Sequence, residues 1–234
     1  MNPESQIFLY IVVFCVMAAA LGYYSHLAAK RRREELAALA SQLGWKFYPD
    51  RDDSHDEEFA HFEIFRRGHS RYSYNSMYGE LTIDEKAYSA KMGDFTYKVT
   101  SHNGKSSSTT TYRFSYLILE LPFGQVPSLV IRREGMFDKL KGMLGFDDID
   151  FESAEFSRRF FVKSSDKRFA YDVIDPRMIE FLLNSDAPTI DIENGRGLFA
   201  DGKRSWSPAQ FRATIGWAQE FFDHWPDHVQ ESLS

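Results

Sequence analysis

Cysteine is nearly absent from this chain, which has 234 residues and a single cysteine, Cys15. One thiol can form no intramolecular disulfide and cannot supply a cysteine-based zinc site. This scarcity excludes a small disulfide-stapled fold and favours a reducing compartment. Hydrophobic residues make up 43% of the chain and charged residues 26%, so the composition is that of a globular protein.

The motifs that mark common enzyme sites are also absent. The chain has no Gly-rich phosphate loop, no G-x-S-x-G elbow, no H-E-x-x-H pair and no C-x-x-C pair. His224 and His228 have the i,i+4 spacing of two metal ligands on one helix face, but Pro226 interrupts that helix. We therefore predict no catalytic residues, no cofactor and no metal site, and a non-enzymatic role is favoured.

The chain has no surplus of positive charge either. Its formal net charge is −6, from 28 basic and 34 acidic residues. Four of the basic residues form one run, Lys30 to Arg33, so the rest of the chain is more acidic still. Because binding to nucleic acid needs clustered Lys and Arg to neutralise phosphates, we predict no nucleic-acid partner.

What the chain does have is a long run without charge, residues 7–29. As a helix that rises about 1.5 Å per residue, this run is long enough for the roughly 30 Å hydrocarbon core of a bilayer. A cleaved signal peptide is disfavoured because residues 1–6 contain no basic residue. We predict a short tail at residues 1–6 and a transmembrane helix at residues 7–29.

The basic run directly after this segment predicts the orientation of the chain. Positively charged residues stay on the cytoplasmic side of a membrane, so we expect the N-terminus outside and residues 30–234 inside. The prediction is a single-pass protein of the cell membrane. Contact with anionic lipid is predicted through Lys30, Arg31, Arg32 and Arg33.

Residues 30–44 are predicted to extend the helix, because apolar residues recur there at helical spacing and Gly44 is a typical stop. Residues 45–234 are predicted to form a soluble α+β domain, a mainly antiparallel sheet with packing helices, divisible into halves at 45–127 and 128–234. In the first half, aromatic and β-branched segments predict strands at FEIF, YSYN, FTYKV and TYRFSYLILEL, and the polar run 101–110 predicts a loop.

The second half alternates predicted strands and helices. Strand SLVIRR is followed by a predicted helix at residues 136–145. Asn194-Gly195 between alternating segments predicts a type I′ hairpin turn. Residues that begin helices are predicted at Ser153, at Ser165 or Asp166, at Asp175 before Pro176, and in a capping box at Ser207.

Residues 148–183 contain a phrase F-x-x-x-F-x-V, a D-x-x-x-A helix and a proline-led helix with a methionine and two leucines. The matching residues are Phe156, Phe160, Val162, Asp166, Ala170, Pro176, Met178, Leu182 and Leu183. Together with residues 68–79, residues 93–99 and the segment LGWKF after the apolar run, this pattern resembles a bacterial family of single-pass membrane-anchored proteins of unknown function. The resemblance implies the same fold and location and supplies no catalytic residues.

Two clusters are candidate sites for alternative functions. An acidic cluster of weak metal-binding character comprises Asp147, Asp148, Asp150 and Glu152. A basic and aromatic cluster comprises Arg66, Arg67, His69, Arg71, Tyr72 and Tyr74. Surface charge and sheet packing are the simpler explanations of both.

The leading hypothesis is a membrane-tethered binding or scaffold module that faces the cytoplasm and has a protein partner at the membrane. One alternative is an enzyme that acts on a membrane-associated substrate through the acidic cluster. The other is a sensor of lipid head groups that uses the basic run and the basic and aromatic cluster.

Overall fold

The computed structural model describes residues 3–104, 106–134 and 149–233. It has an α+β fold in which one long N-terminal helix precedes an antiparallel sheet with packing helices. The predicted fold class is therefore confirmed. The helix predicted at residues 136–145 lies outside the described residues, and so do Asp147 and Asp148.

Helix α1 runs from Pro3 to Leu43 without a break, over 41 residues, and is therefore about 60 Å long. By length and composition it is long and apolar enough to cross a membrane, and its apolar window is not buried against the domain. Leu36, Leu39 and Ala40, by contrast, are buried. The domain thus leaves the apolar part of α1 uncovered and packs against its C-terminal end.

Within the described residues, eight strands form one sheet in the order β1-β2-β3-β4-β8-β7-β5-β6, and neighbouring strands are antiparallel. The pairing of β4 with β8 joins the long strands of the first half to the shorter strands of the second. The strands are β1 (Lys46–Tyr48), β2 (His69–Ile83), β3 (Lys86–His102), β4 (Ser107–Glu120), β5 (Leu129–Arg133), β6 (Phe160–Ser164), β7 (Ile190–Glu193) and β8 (Arg196–Phe199).

The two faces of this sheet bury separate hydrophobic clusters. Leu117 and Leu119 of β4 belong to the larger cluster, with α1 and the C-terminal helices. Tyr116 and Ile118 belong to the smaller cluster, with the aromatic residues of segment 59–65. The helices are α2 (His55–Glu58), a 3-10 turn (Glu63–Arg66), α3 (Ala154–Arg159), α4 (Lys167–Val173), α5 (Pro176–Asn184), α6 (Pro208–Asp223) and α7 (Asp227–Leu233).

The predicted N-caps of the helices and the predicted hairpin turn are confirmed. Ser153, Asp166 and Asp175 each accept a hydrogen bond from a backbone N–H in the first turn of α3, α4 and α5. The Asn194-Gly195 turn has the two positive φ angles, 52° and 70°, that a type I′ turn requires. The capping box at Ser207 is present in full at the start of α6.

Two local predictions were wrong. Segment FEIF is a 3-10 turn instead of a strand, because a period of three places Phe62 and Phe65 together in the smaller cluster. The loop predicted at 101–110 is shorter, since β3 and β4 extend to the pair His102 and Ser107. Helix α6 ends at Asp223, close to Pro226 as predicted, and a further short helix, α7, follows that proline.

Candidate functional site: the joint between the N-terminal helix and the sheet

A salt bridge joins α1 to the sheet. Arg32 donates from Nε to Asp94 Oδ2 at 2.7 Å and from Nη2 to Asp94 Oδ1 at 2.6 Å. This is the parallel, two-bond geometry that matches a guanidinium to a carboxylate. The Asp94 side chain is 0% exposed and the Arg32 side chain 24%. A residue of the basic run is therefore paired inside the domain.

The sheet holds Asp94 from its other side. Asn75 donates from Nδ2 to Oδ2 at 3.0 Å, and Ser115 donates from Oγ to Oδ1 at 2.6 Å. Each carboxylate oxygen therefore accepts two hydrogen bonds, which is what a buried charge needs to be tolerated. Burial opposes the charged guanidinium, but the hydrogen bond and charge of Asp94 outweigh it and raise the pKa of Arg32.

Two features of the strands make room for this arrangement. Strand β2 is irregular between Tyr74 and Met77, and Asn75 within that stretch has a left-handed φ of 52°. An irregularity of this kind re-aims a side chain, here towards Asp94. Across from it, a Cβ at Gly93 would stand 3.2 Å from the backbone oxygen of Tyr74. Glycine thus permits the close approach of the two strands.

The same side chains fix the loop before α6, residues 200–207. Arg32 donates from Nη1 to the carbonyl oxygen of Trp206 at 3.0 Å, and the Trp206 N–H donates to Ser115 Oγ at 2.8 Å. The Ser115 N–H donates to the carbonyl of Arg204 at 3.1 Å. Arg32 therefore bonds to strand β3 and to this loop at once. We define the helix joint as Arg32, Asn75, Asp94, Ser115 and Trp206.

Apolar packing supports the helix joint. Leu36 and Leu39 of α1 are 0% and 1% exposed, and each stabilises the fold by roughly 1.5–3 kcal/mol through burial. Just after α1, Trp45 covers Gly79 so closely that a Cβ there would lie 2.2 Å from the indole Cδ1. The end of α1 is therefore part of the domain core, and one continuous helix connects that core to the apolar segment.

The structure separates the four residues of the basic run. Arg32 faces the sheet and is held by Asp94. Arg31 and Arg33 are exposed. Lys30 forms an exposed ion pair with Glu34, one turn further along the helix, with 3.9 Å between Nζ and Oε1. Exposed pairs of this kind contribute little to stability. Lys30, Arg31 and Arg33 are thus the members of the run that face solvent.

The basic and aromatic cluster at residues 66–74 makes contacts within the domain. Arg67 donates to both carboxylate oxygens of Glu63, at 3.1 and 2.7 Å. Arg71 donates to Asp56 at 2.6 Å. The Arg71 pair ties the segment before β2 to β2 itself, and the Arg67 pair lies within that segment. The structure therefore supplies a packing role for these two arginines.

The acidic cluster is described in part. Asp150 and Glu152 are exposed, and the carbonyl of Asp150 accepts a hydrogen bond from the Tyr171 hydroxyl at 3.1 Å. In residues 3–104, 106–134 and 149–233, no group of three or more His, Cys, Asp or Glu side chains is placed to hold a metal ion. A metal site at this cluster was only an alternative hypothesis, and it stays one.

Four members of the helix joint were not identified from the sequence. The signal was present at Asp94, the one carboxylate in MGDFTYKV, a segment otherwise typical of a buried strand. A carboxylate in such a strand must find a cation and hydrogen-bond donors. The partner was not deducible, because Arg32 lies 62 residues earlier.

Comparison with known proteins shows a shared fold. The chain is similar to the crystal structure of the mycobacterial trehalose monomycolate transport factor A, TtfA, with a TM-score of 0.56. The match covers 85% of this chain and 96% of that chain at 15% sequence identity, which shows the fold and nothing finer. No family model and no curated protein matches this chain.

Proposed function

We propose that this chain is a membrane-tethered binding or scaffold module. Helix α1 spans the cell membrane once, the N-terminus lies outside, and the domain faces the cytoplasm. The observation that carries the proposal is the helix joint. A segment that served for targeting alone would need no buried ion pair with the domain, whereas Arg32 and Asp94 hold the sheet at a set distance from the membrane surface.

The shared fold supports a role of this kind. A protein with this fold is named a transport factor, and we propose that this chain acts at a membrane by binding, with a protein as its partner. The resemblance of residues 148–183 to membrane-anchored proteins of unknown function belongs to the same proposal and implies the same placement.

Orientation is tested by cysteine labelling in cells. The native thiol is removed by Cys15→Ser, and Ser106→Cys places a new thiol at an exposed position between β3 and β4. We expect a membrane-impermeant maleimide to label this thiol after permeabilisation and not in intact cells. Labelling in intact cells would place the domain outside and overturn the predicted topology.

The binding role is tested by in-cell crosslinking and co-purification. The full chain is compared with a version that lacks residues 1–29 and with Asp94→Asn, which weakens the helix joint. A partner that the full chain captures and the shortened chain loses supports a tethered module. Equal capture by both chains contradicts the need for a tether, and no reproducible partner with either chain contradicts the binding role.

A further inference from the structure

A groove opens beside the helix joint. It lies between α6, the loop 200–207 and the loop that enters β7, and its cavity volume is about 540 Å³. This is the usual size of a small-molecule site. Trp206 of the helix joint forms part of its wall, so the groove and the attachment of α1 share one residue.

Two hydrogen-bond donors in the groove wall have no partner within the described residues. They are Arg133 Nε and Trp217 Nε1, and both atoms are buried. Both groups can donate and cannot accept. Buried donors are nearly always paired in folded proteins. These two atoms therefore point to a ligand that brings acceptor oxygens into the groove.

The groove is positively charged although the chain as a whole is acidic. Three cationic side chains line it, Arg133, Lys203 and Arg204, against the carboxylates of Asp186 and Asp201. Asp186 is 99% exposed and 3.9 Å from Arg133, and the contact of Asp201 with Arg204 is also 3.9 Å. Both contacts are long, and each has a partner that is largely exposed, so they are weak. Arg133 also donates from Nη2 to the Ser185 carbonyl at 2.6 Å, a bond that does not neutralise its charge. The arginines therefore keep the capacity to bind an anion, and guanidinium groups match phosphate oxygens in particular.

Another part of the wall is apolar. It is formed by Ala187, Pro188, Ala213 and the ring of Trp217. The indole stacks on Phe221 with a centroid distance of 5.6 Å and an angle of 14°, and this contact fixes the position of the ring in the wall. A ligand that satisfies both parts carries a phosphate at one end and an apolar chain or ring at the other.

We propose that this groove binds an organic phosphate, with the phosphate held by Arg133 and the Trp217 indole N–H. The inference rests on the proposed function and deepens it by naming the class of ligand. Arg32, which bonds to Trp206 of the groove wall, lies three residues beyond the predicted span and therefore about 5 Å past its end along the helix axis. Lipid head groups and soluble phosphoesters both offer this chemistry at that depth.

The test is ¹⁹F NMR of the full chain with 5-fluorotryptophan at its four tryptophan positions. Trp217→Phe assigns the resonance. The probes are glycerol 3-phosphate, added to the chain in uncharged detergent, and nanodiscs of phosphatidylglycerol compared with nanodiscs of phosphatidylcholine. We expect the Trp217 resonance to shift saturably, and Arg133→Gln to weaken the binding by about tenfold through loss of a charge-assisted hydrogen bond.

Arg168→Gln is the matched control, because Arg168 is 90% exposed and lies outside the groove. If Arg133→Gln disturbs the fold, Lys203→Gln takes its place, since Lys203 is exposed. A shift with glycerol 3-phosphate and none in phosphatidylglycerol nanodiscs identifies a soluble phosphoester. A shift in phosphatidylglycerol nanodiscs and none in phosphatidylcholine nanodiscs identifies a lipid head group. No shift with either probe, or equal weakening by Arg168→Gln, overturns the proposal.

This result is separable from the test of the proposed function. A saturable shift of the Trp217 resonance without any captured partner would support the phosphate site in the groove and contradict the scaffold role. A captured partner without a shift of the Trp217 resonance would support the tethered module and contradict the groove as a phosphate site.

Discussion

Replacing Arg32 by glutamine removes the cation that faces Asp94 and leaves the rest of α1 unchanged. The carboxylate would stay 0% exposed and would keep two of its four hydrogen bonds, those from Asn75 and Ser115. A buried charge without its counterion is strongly destabilising. We therefore expect Arg32→Gln to destabilise the domain far more than the loss of any other charge from the basic run.

The expected loss in the free energy of unfolding follows from the burial of the ion pair between Arg32 and Asp94. Breaking a buried ion pair costs about 3–5 kcal/mol, and the 24% exposure of the Arg32 side chain favours the lower end of that range. Loss of the bond to the Trp206 carbonyl adds to this cost. In an Asp94→Asn background, where no buried carboxylate remains, Arg32→Gln is expected to cost about 1 kcal/mol. The two substitutions are thus expected to be strongly non-additive.

The assay is urea unfolding of the full chain in detergent, followed by tryptophan fluorescence. All four tryptophans lie after residue 44, so the signal reports on the domain. Arg31→Gln is the control, since it removes the same charge from the exposed neighbouring position. Equal midpoints for Arg32→Gln and Arg31→Gln, or additive effects with Asp94→Asn, would show that the helix joint does not support the fold.

Three further predictions concern the domain itself. Gly79→Val would push into the ring of Trp45, and we expect a loss of about 1–3 kcal/mol with a shift in the fluorescence of the core tryptophans. Ser207→Ala removes one half of the capping box of α6 and is expected to cost about 1 kcal/mol in the same unfolding assay. Burial, reinforced by the charge of Glu193, raises the pKa of Asp191 to about 7. The folded state therefore keeps a proton that the unfolded chain loses, and stability falls as the pH rises from about 4 to about 7. Asp191→Asn is expected to remove this fall in a pH series of urea midpoints.

Elements that depend on a few neighbouring residues could be predicted from the sequence. The side chains of Asp175 and Ser207 cap the N-termini of their helices. Asn194-Gly195 adopts the positive φ angles that a tight turn requires. In each case the deciding hydrogen bond or dihedral angle lies within three residues. Such features are therefore readable from the local sequence alone.

The helix joint could not be predicted because its contacts are distant in sequence. Ser115 lies 83 residues from Arg32, and Trp206 lies 174 residues from it. Position alone suggested a lipid contact for Arg32, since it follows the apolar segment, and nothing in the run distinguishes it from Arg31. The strand irregularity that aims Asn75 at Asp94 is equally invisible, because it results from the register of β2 against β3.

The smaller hydrophobic cluster contains a titratable group that offers a further test. His55 is 0% exposed, and its ring lies between aromatic rings, with centroids 4.5 Å from Phe65 and 4.7 Å from Tyr116. Its Nε2 has no partner within the described residues. Burial, followed by the nearby charge of Lys91, lowers the pKa of His55 well below its usual value.

This shift predicts a specific loss of stability in acid. The folded-state pKa of His55 lies below the unfolded value of about 6.5, so the contribution to stability is complete above that pH and is lost as the pH falls towards the folded-state pKa. His55→Phe keeps the aromatic contacts and removes both the proton site and the unpaired nitrogen. We expect it to be at least as stable as the unsubstituted chain at pH 8, since an unpaired buried nitrogen is removed, and to lose less stability between about pH 6.5 and 4.5. His69→Gln, a change at an exposed histidine, serves as the control. Since Asp191 acts in the opposite direction over part of this range, the informative quantity is the difference between His55→Phe and the unsubstituted chain at each pH. A difference that does not grow on acidification would mean that water or a neighbouring group already accommodates a proton on His55.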